Sequence, residues 1–353
     1  MSMSFFAASN SADGFKNYYK ECFEQVDRLF IIKGGPGTGK STFMRRVADT
    51  AEAMGGCVER YFCSSDHTSL DGVMFDCKDE RVGIIDGTYP HPYIERLPGA
   101  REEIVNTGNF WDRKILKKNS DKIRELSLKK GKCYDMAYAY LRACGNLHEV
   151  YNSYGKSKIN TPKMNGAVDR LMKKIPSGQS YRALPALVNC IGMLGRAHLE
   201  AFEEDADKIY LIVGDYGEEE YLRKLLESAK HKNIRVRVAH NPIYYRELDG
   251  IYLEDTRLWF VKETALPNDA REKYRDKIRI INMGRFHLSG GQEQNKKEMK
   301  YCKRLLQLCI AGAEGELERA GKYHFELEQI YKSAMDFEML ESFTCDFCKE
   351  LFV

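Results

Sequence analysis

The sequence lacks three features that would define its class at once: a long apolar run, a cysteine framework and a strong excess of one charge. No run of about 18 or more apolar residues occurs, so we expect no membrane-spanning helix. Residues 1–8 lack a basic segment followed by an apolar core, which argues against a secretion signal. The 11 cysteines are an odd number without framework spacing, a pattern typical of reduced thiols in the cytosol. We therefore expect a cytoplasmic protein.

The charges are balanced, with 55 Lys and Arg against 52 Asp and Glu and a formal net charge of +3. No basic stripe interleaved with aromatic residues occurs, so nucleic acid is not an expected partner. At 353 residues the chain is long for a single hydrophobic core, and two domains are expected.

Residues 34–41 carry the most informative motif. They read Gly-Gly-Pro-Gly-Thr-Gly-Lys-Ser and fit G-x-x-x-x-G-K-[ST], the pattern of a phosphate-binding loop. An apolar run at 29–32 precedes them as a strand, and apolar residues at helical spacing follow from 43 to 54. Strand, turn and helix start direct backbone N–H groups at one point, which suits a polyphosphate. The predicted nucleotide-binding residues are Gly34, Gly35, Pro36, Gly37, Thr38, Gly39, Lys40, Ser41 and Thr42.

Two residues of this loop, and one strand end, have separate expected roles. Lys40 should reach the β- and γ-phosphates, and the Ser41 hydroxyl should coordinate Mg²⁺. Asp86 ends the apolar strand 82–86 and is the second predicted magnesium ligand. The alternative is that Asp86-Gly87 simply begins a turn. Gly87 stands where motor ATPases of the RecA and AAA+ kinds place a catalytic glutamate, so rapid intrinsic hydrolysis is not expected.

Asp66 and His91 are the catalytic candidates. Asp66 lies in the loop after a predicted strand at 58–63, where it could accept a proton from water or a substrate hydroxyl. His91 follows the Asp86 strand and is flanked by two prolines, which would stiffen it as a group that positions the nucleophile. The alternatives are an ordinary polar loop and a structural histidine. The guanine-reading pattern [NT]-K-x-D is absent, so ATP is the expected nucleotide, with Mg²⁺ as its metal.

The chain contains an internal duplication. Three segments recur in the same order at offsets of 180, 178 and 176 positions: 27–34 with 207–214, 69–73 with 247–251, and 104–110 with 280–286. The second copy's loop, 214–220, keeps two glycines but has neither the lysine nor the serine, and it carries three glutamates and an aspartate. Because acidic side chains repel a polyphosphate, the second copy is expected to bind no nucleotide.

These patterns predict an α/β fold of the P-loop NTPase type: a parallel sheet with flanking helices, duplicated, with helical insertions. The expected domains are 1–178, a nucleotide-binding module with a helical segment at 112–175, and 179–353, a degenerate second module that lacks the Lys and Ser. Helices are expected over 292–342. Breaks in the first helical segment are expected near Gly131, Gly145, Gly155 and Pro162.

Several segments together resemble a family of uncharacterised bacterial P-loop ATPases, found mainly in Firmicutes: 33–42, 63–66, 69–73, 86–88, Pro90-His91 and 98–100. The resemblance is strong over residues 1–112 and weak through the rest. Members carry two tandem NTPase modules, so the resemblance implies ATP binding, although it implies no substrate or pathway. The second module of that family commonly keeps its own P-loop, whereas the loop at 214–220 does not.

Three functions remain open. The first is a slow, Mg-dependent ATPase that acts as a conformational switch. The second is a P-loop kinase that phosphorylates a small molecule, and the third is a non-catalytic scaffold that nucleotide stabilises. A small-molecule acceptor or a protein would be the further partner. An arginine or lysine from the helical segment or the second module is expected to complete the site, but spacing alone does not identify it.

Overall fold

The computed structural model describes residues 2–89, 93–156, 158–288 and 295–352. The protein is α/β, with two six-stranded mixed sheets of mainly parallel strands and helices that flank them. Within the described ranges, no helix combines the length and the apolar character needed to cross a membrane.

The elements of the first half follow in chain order: β1 (Met3–Phe6), β2 (Ala8–Ser11), β3 (Gly14–Asn17), α1 (Tyr19–Phe23), β4 (Arg28–Lys33), α2 (Lys40–Ala53), β5 (Val58–Phe62), β6 (Leu70–Cys77), β7 (Glu80–Asp86), β8 (Glu102–Asn106), α3 (Arg113–Lys118), α4 (Ser120–Lys156) and α5 (Thr161–Lys173). A 3-10 helix, Thr107–Phe110, follows β8.

The second half repeats this order: β9 (Arg182–Pro185), β10 (Asn189–Gly192), β11 (Gly195–His198), α6 (Ala201–Asp205), β12 (Lys208–Val213), α7 (Glu218–His231), β13 (Arg235–His240), β14 (Leu248–Leu253), β15 (Leu258–Lys262), α8 (Asn268–Lys273), β16 (Ile278–Asn282), α9 (Lys296–Lys332) and α10 (Phe337–Phe352). Further 3-10 helices lie at Glu263–Ala265, Arg275–Lys277 and Met283–Phe286.

The two sheets share one topology. Their strand orders are β1-β5-β6-β7-β4-β8 and β9-β13-β14-β15-β12-β16. In each order the first pair and the last two pairs are parallel, while the second and third pairs are antiparallel. The expectation of a parallel sheet is therefore wrong for the middle of each sheet. Strand β6 is joined to β7 by only two residues, Lys78 and Asp79, and so short a connection permits only antiparallel pairing.

The predicted duplication is confirmed by the matching elements. Helices α2 and α7 both have 14 residues, and each follows a glycine in left-handed backbone, Gly39 at φ +82° and Gly217 at φ +96°. The long helices α4 and α9 both have 37 residues. Equal lengths and equal strand orders mean that the two halves are copies of one architecture.

The helical segments are exchanged between the halves. Helices α4 and α9 pack along each other in antiparallel directions, with Lys129 of α4 over the Tyr323 ring of α9 and Tyr140 further along α4 against Gly312. Beyond this crossing, α5 packs on α7 of the second sheet and α10 packs on α2 of the first sheet. Each sheet is therefore covered in part by a helix from the other half of the chain.

Backbone hydrogen bonds fix this exchange at both ends of the long helices. Four of them, at 2.7–2.8 Å, join the halves: Asp112 N to Ala334 O, Asp336 N to Phe110 O, Asn160 N to Phe286 O and Leu288 N to Lys158 O. The first two are related to the last two by an offset of 176 positions. The interlock thus has the approximate twofold symmetry of the duplication.

Aromatic side chains of α10 cover the first sheet. The Phe347 ring lies 4.8 Å from the ring of Phe30 on β4 and 4.9 Å from the ring of Phe43 on α2, and Phe343 stacks on Phe43 at 6.1 Å. Ring pairs at these distances contribute packing energy beyond the apolar area they bury. The hydrophobic layer beside the 34–41 loop is therefore completed by the second half.

The helical expectations are met in part. Helix α4 runs without interruption through Gly131 and Gly145, so the breaks expected there are wrong. A Cβ at position 145 would lie 2.8 Å from the Ala12 side chain, which shows that Gly145 permits close packing against the β2–β3 hairpin. Pro162 lies in the first turn of α5, where its missing N–H needs no partner.

Candidate functional site

The loop between β4 and α2 lies at the carboxyl edge of the first sheet. Gly37 and Gly39 have φ values of +70° and +82°, a backbone conformation that residues with side chains rarely adopt. The Thr38 hydroxyl is buried, donates to Gly35 O at 2.9 Å and accepts from the Thr107 hydroxyl at 3.1 Å. The loop is therefore held in shape by Thr38 and by the 3-10 helix after β8.

Lys40, the first residue of α2, lies beneath this loop. Its Nζ donates to Gly34 O at 3.1 Å and to Gly35 O at 2.7 Å, and lies 3.5 Å from Asp86 Oδ2. The side chains of Lys40 and Asp86 are each 11% exposed, so little water screens this ion pair. Asp86 is the last residue of β7 and pairs in register with Ile32 of β4, which brings it to the start of the loop.

The two predicted metal ligands lie at this same edge. The Ser41 hydroxyl accepts a hydrogen bond from Leu70 N at 2.9 Å, and Asp86 Oδ1 accepts one from Thr88 N at 2.8 Å. Hydroxyl and carboxylate oxygens are the kind of ligand that Mg²⁺ prefers, so these residues fit the metal. Over the ranges that the structure describes, no group of three or more His, Cys, Asp and Glu side chains could hold a metal ion. A Mg²⁺ bound here would therefore take most of its ligands from phosphate and water.

Helices α9 and α10 of the second half cover the loop. A Cβ at position 35 would lie 2.7 Å from the Tyr331 ring, and one at position 37 would lie 2.9 Å from Glu328 O. A Cβ at position 39 would collide with the Leu340 side chain. The glycines are therefore needed for the approach of these helices, a reason that the motif itself does not supply.

His324 of α9 faces the same region, although no motif includes it. Its Nε2 lies 3.7 Å from Glu328 Oε1. Burial, followed by the charge of Lys130, lowers the pKa of His324 from 6.5 to about 4, and Lys40 adds to this effect. Glu328 and Asp66 act in the opposite direction. His324 is thus neutral at neutral pH and lies within electrostatic range of the predicted phosphate lysine and of Asp66.

Lys130 of α4 is a candidate for the cation that the sequence leaves unidentified. Burial lowers the pKa of its ammonium group, and its charge acts on His324. One turn further along α4, the Tyr134 hydroxyl donates to Ser65 Oγ at 3.2 Å, so this face of α4 lies against the loop after β5. The spacing of residues along the sequence could not identify Lys130, because α4 is brought to this region only by its pairing with α9.

Of the two predicted catalytic residues, the structure describes Asp66 but not His91. Asp66 Oδ1 accepts from the Thr68 backbone N at 3.0 Å and from the Thr68 hydroxyl at 2.6 Å, as in an ordinary polar turn. Its charge nevertheless reaches His324 across the site. His91 lies outside the described residues. The structure therefore places Asp66 within electrostatic range of His324, and its role in catalysis stays a prediction.

The corresponding edge of the second sheet carries the opposite charges. The offsets of 178 and 176 pair three positions of the two halves: Lys40 with Glu218, Ser41 with Glu219, and Asp86 with Lys262. Lys262 Nζ lies 3.0 Å from Glu219 Oε2 and 3.6 Å from Glu247 Oε2. The acidic character of the loop 214–220 could be predicted from the sequence. Lys262 could have been assigned to this edge of the sheet only by counting 176 positions from Asp86.

A comparison with known protein families, and searches among curated proteins and solved structures, found no match. The likeness to tandem-module P-loop ATPases therefore stays a prediction that rests on the motif residues.

Proposed function

We propose that the chain binds Mg-ATP at the loop before α2 and hydrolyses it slowly, as a switch that couples its two halves. The observation that carries the proposal is the Lys40–Asp86 pair, 3.5 Å apart and largely buried beneath that loop. A lysine at the start of a helix and a carboxylate at the end of the adjacent strand offer a phosphate ligand and a metal ligand at one place.

ATP binding in this proposal depends on the loop and the helix that follows it. The loop N–H groups and the amino end of α2 attract phosphate oxygens, and Lys40 Nζ exchanges its bonds to Gly34 O and Gly35 O for bonds to phosphate. Ser41 and Asp86 hold Mg²⁺, which when bound neutralises part of the phosphate charge.

Hydrolysis is expected to be slow because Gly87, rather than a glutamate, follows Asp86. Lys130 stabilises the negative charge that develops as the terminal phosphate leaves, since its ammonium group is held in a site of low dielectric. His324 is neutral and Asp66 is acidic, so these two side chains are the groups that orient the attacking water or accept its proton.

The switch depends on the contacts between the loop and α9. Tyr331 and Glu328 lie directly against Gly35 and Gly37, so a loop that closes on phosphate changes its contacts with α9. Helix α9 has 37 residues and runs from this loop to the second half of the molecule. A ligand shifts a conformational equilibrium only through contacts that differ between the two states, and the contacts of residues 328–331 provide that difference.

Calorimetry with Mg-ATP and an assay of phosphate release test this proposal. The substitution Lys40→Ala removes a charge-assisted contact worth about 1.5–3 kcal/mol, and should weaken ATP binding by about 10- to 150-fold. Lys322→Ala is the matched control, because Lys322 is 67% exposed on α9. No heat at millimolar ATP, or equal binding by the Lys40→Ala protein, would contradict the proposal. ADP that forms only with an added acceptor would favour the kinase instead.

A further inference from the structure

The second half contains a cavity of about 740 Å³ at the edge that corresponds to the predicted ATP site. Its walls include the loop 214–220, the carboxyl ends of β13 and β15, and faces of both long helices. This volume lies in the range of small-molecule sites in proteins. The second half has therefore kept a binding-sized space where its phosphate-binding residues are missing.

The basic groups that line the cavity already have acidic partners. The shortest ion-pair distances are 3.0 Å for Lys262 with Glu219, 2.7 Å for Lys303 with Asp215, 2.8 Å for Arg223 with Glu219, 2.5 Å for Arg196 with Glu314 and 3.9 Å for Arg246 with Asp13. An anionic ligand would have to compete with these carboxylates for each cation. The cavity is thus poorly suited to phosphate.

Two lining carboxyl groups, those of Glu218 and Glu220, form no ion pair with any described residue. Burial raises the pKa of Glu218 to about 7, and the charge of Lys262, which acts in the opposite direction, does not offset this loss of water. Burial likewise raises the pKa of Asp249, which is 3% exposed, to about 6, although the charge of Lys262 and a hydrogen bond from Asn241 at 2.9 Å act in the opposite direction. Both shifts show that Lys262 compensates these carboxyl groups only in part.

Aromatic side chains form the opposite part of the lining. The His148 and Tyr244 rings stack at 3.6 Å, and Tyr151 adjoins His148 at 6.4 Å. The Tyr216 hydroxyl is buried without a hydrogen-bond partner among the described residues. Aromatic faces beside carboxylates attract organic cations, and Lys303 Nζ already lies 5.5 Å from the centre of the Tyr151 ring.

We propose that this cavity binds a small organic cation with an ammonium or guanidinium group, and that Glu218 is its principal carboxylate partner. At the position equivalent to Lys40, the second half carries Glu218, a residue of the opposite charge. Apolar atoms of Ile159 and Ile310 in the lining would contact the carbon chain of such a ligand. This binding site is separate from the proposed ATP site and does not depend on it.

Calorimetric titration of the full chain with agmatine, which carries an ammonium and a guanidinium group, tests the proposal. We expect agmatine to bind, while 1,4-butanediol and succinate, which lack the cationic groups, should not. Glu218→Gln should weaken agmatine binding at least about tenfold, because a charge-assisted hydrogen bond is lost. Glu227→Gln, a change on the same helix at a residue 57% exposed, is the matched control and should leave agmatine binding unchanged.

Titration of the same variants with Mg-ATP distinguishes this proposal from the proposal of ATP binding. Glu218→Gln should bind Mg-ATP like the parent chain, which also shows that the variant folds. Ile310→Trp, which fills the cavity from α9, should abolish agmatine binding as a second variant. The proposal is overturned if agmatine binds no better than 1,4-butanediol, if Glu218→Gln binds it equally well, or if a second equivalent of ATP occupies this cavity.

Discussion

In the first half Lys40 and Asp86 lie 3.5 Å apart under the loop before α2, and in the second half the same positions carry Glu218 and Lys262. Glu219 completes the reversal with an ion pair to Lys262 at 3.0 Å. Strand ends, loop and helix start occupy equivalent places in both halves. We therefore infer that the architecture fixes where a ligand would bind, while three side chains would decide which charge that ligand carries.

The backbone around these side chains hardly differs. Leu70 N donates to Ser41 Oγ at 2.9 Å, and Leu248 N donates to Glu219 Oε2 at the same distance. One turn further along each helix an arginine bonds the facing loop, as Arg223 does with Arg246 O at 2.7 Å. These bonds are kept with and without the phosphate-binding motif, so they serve the fold and carry no information about the ligand.

Among the substitutions that test this comparison of the two halves, Lys130→Ala is expected to have the largest effect. The position equivalent to Lys130 in the second half is Leu306, so this half-buried cation of the first half has no counterpart at the equivalent position. Loss of one preorganised donor should reduce the rate of ATP hydrolysis about 100-fold while ATP affinity changes far less. Single-turnover phosphate release measures this effect. Lys129→Ala, an exposed neighbour paired with Glu125, is the control, and an equal loss in that protein would refute the assignment.

Phe347→Ala is expected to have a smaller effect, a decrease in the free energy of unfolding. The Phe347 ring contacts Phe30 and Phe43 of the other half, and it is only partly buried. We expect unfolding to become easier by about 2–3 kcal/mol, somewhat less than for a fully buried phenylalanine. Urea denaturation measures the change, with Met339→Ala, 56% exposed on the same helix, as the control. A loss below 0.5 kcal/mol, within the usual range of surface substitutions, would mean that the exchanged helix contributes little.

The smallest effects concern pH, and they should have opposite signs in the two halves. His324, whose pKa is lowered to about 4, contributes stability above pH 6.5 that is lost as the pH falls through 4. Glu218, whose pKa is raised to about 7, contributes stability below pH 4.5 that is lost as the pH rises through 7. His324→Gln should therefore flatten the acid side of the stability curve, and Glu218→Gln the neutral side.

Thermal unfolding between pH 4 and 8 measures both slopes, and each variant is the control for the other. If both variants changed the same side of the curve, the contrast between a cation-rich first site and an acid-rich second site would be wrong.

The sequence allowed the local parts of this molecule to be predicted. The apolar run at 29–32 lies within β4, the helix predicted from the spacing of residues 43–54 is α2, and the three recurring segments correspond to a duplicated fold. Such features depend on neighbouring residues or recur in the same order along the chain, so the sequence alone contains the whole signal. Strand β6 was missed altogether, since no strand was predicted between 63 and 82, because Asp71 and Gly72 interrupt its apolar residues.

The parts that could not be predicted all depend on the exchange of helices. Lys130 and His324 lie 194 positions apart in the sequence and interact through their charges in the fold. Helical periodicity shows which face of α4 or α9 is apolar, but does not show which partner that face will meet. The sequence held one weak clue to His324. Another histidine, His148, stands 176 positions before it, which is the offset between segments 104–110 and 280–286.

The crossed arrangement of α5 and α10 has a consequence for the order in which the molecule can be made. The loop at 34–39 is synthesised early, yet Tyr331 and Leu340, which close over it, emerge from the ribosome about 300 residues later. At roughly 5–20 residues per second, the nascent first half waits tens of seconds with the rings of Phe30 and Phe43 uncovered. We therefore expect the loop to reach its final packing only when α10 has been translated.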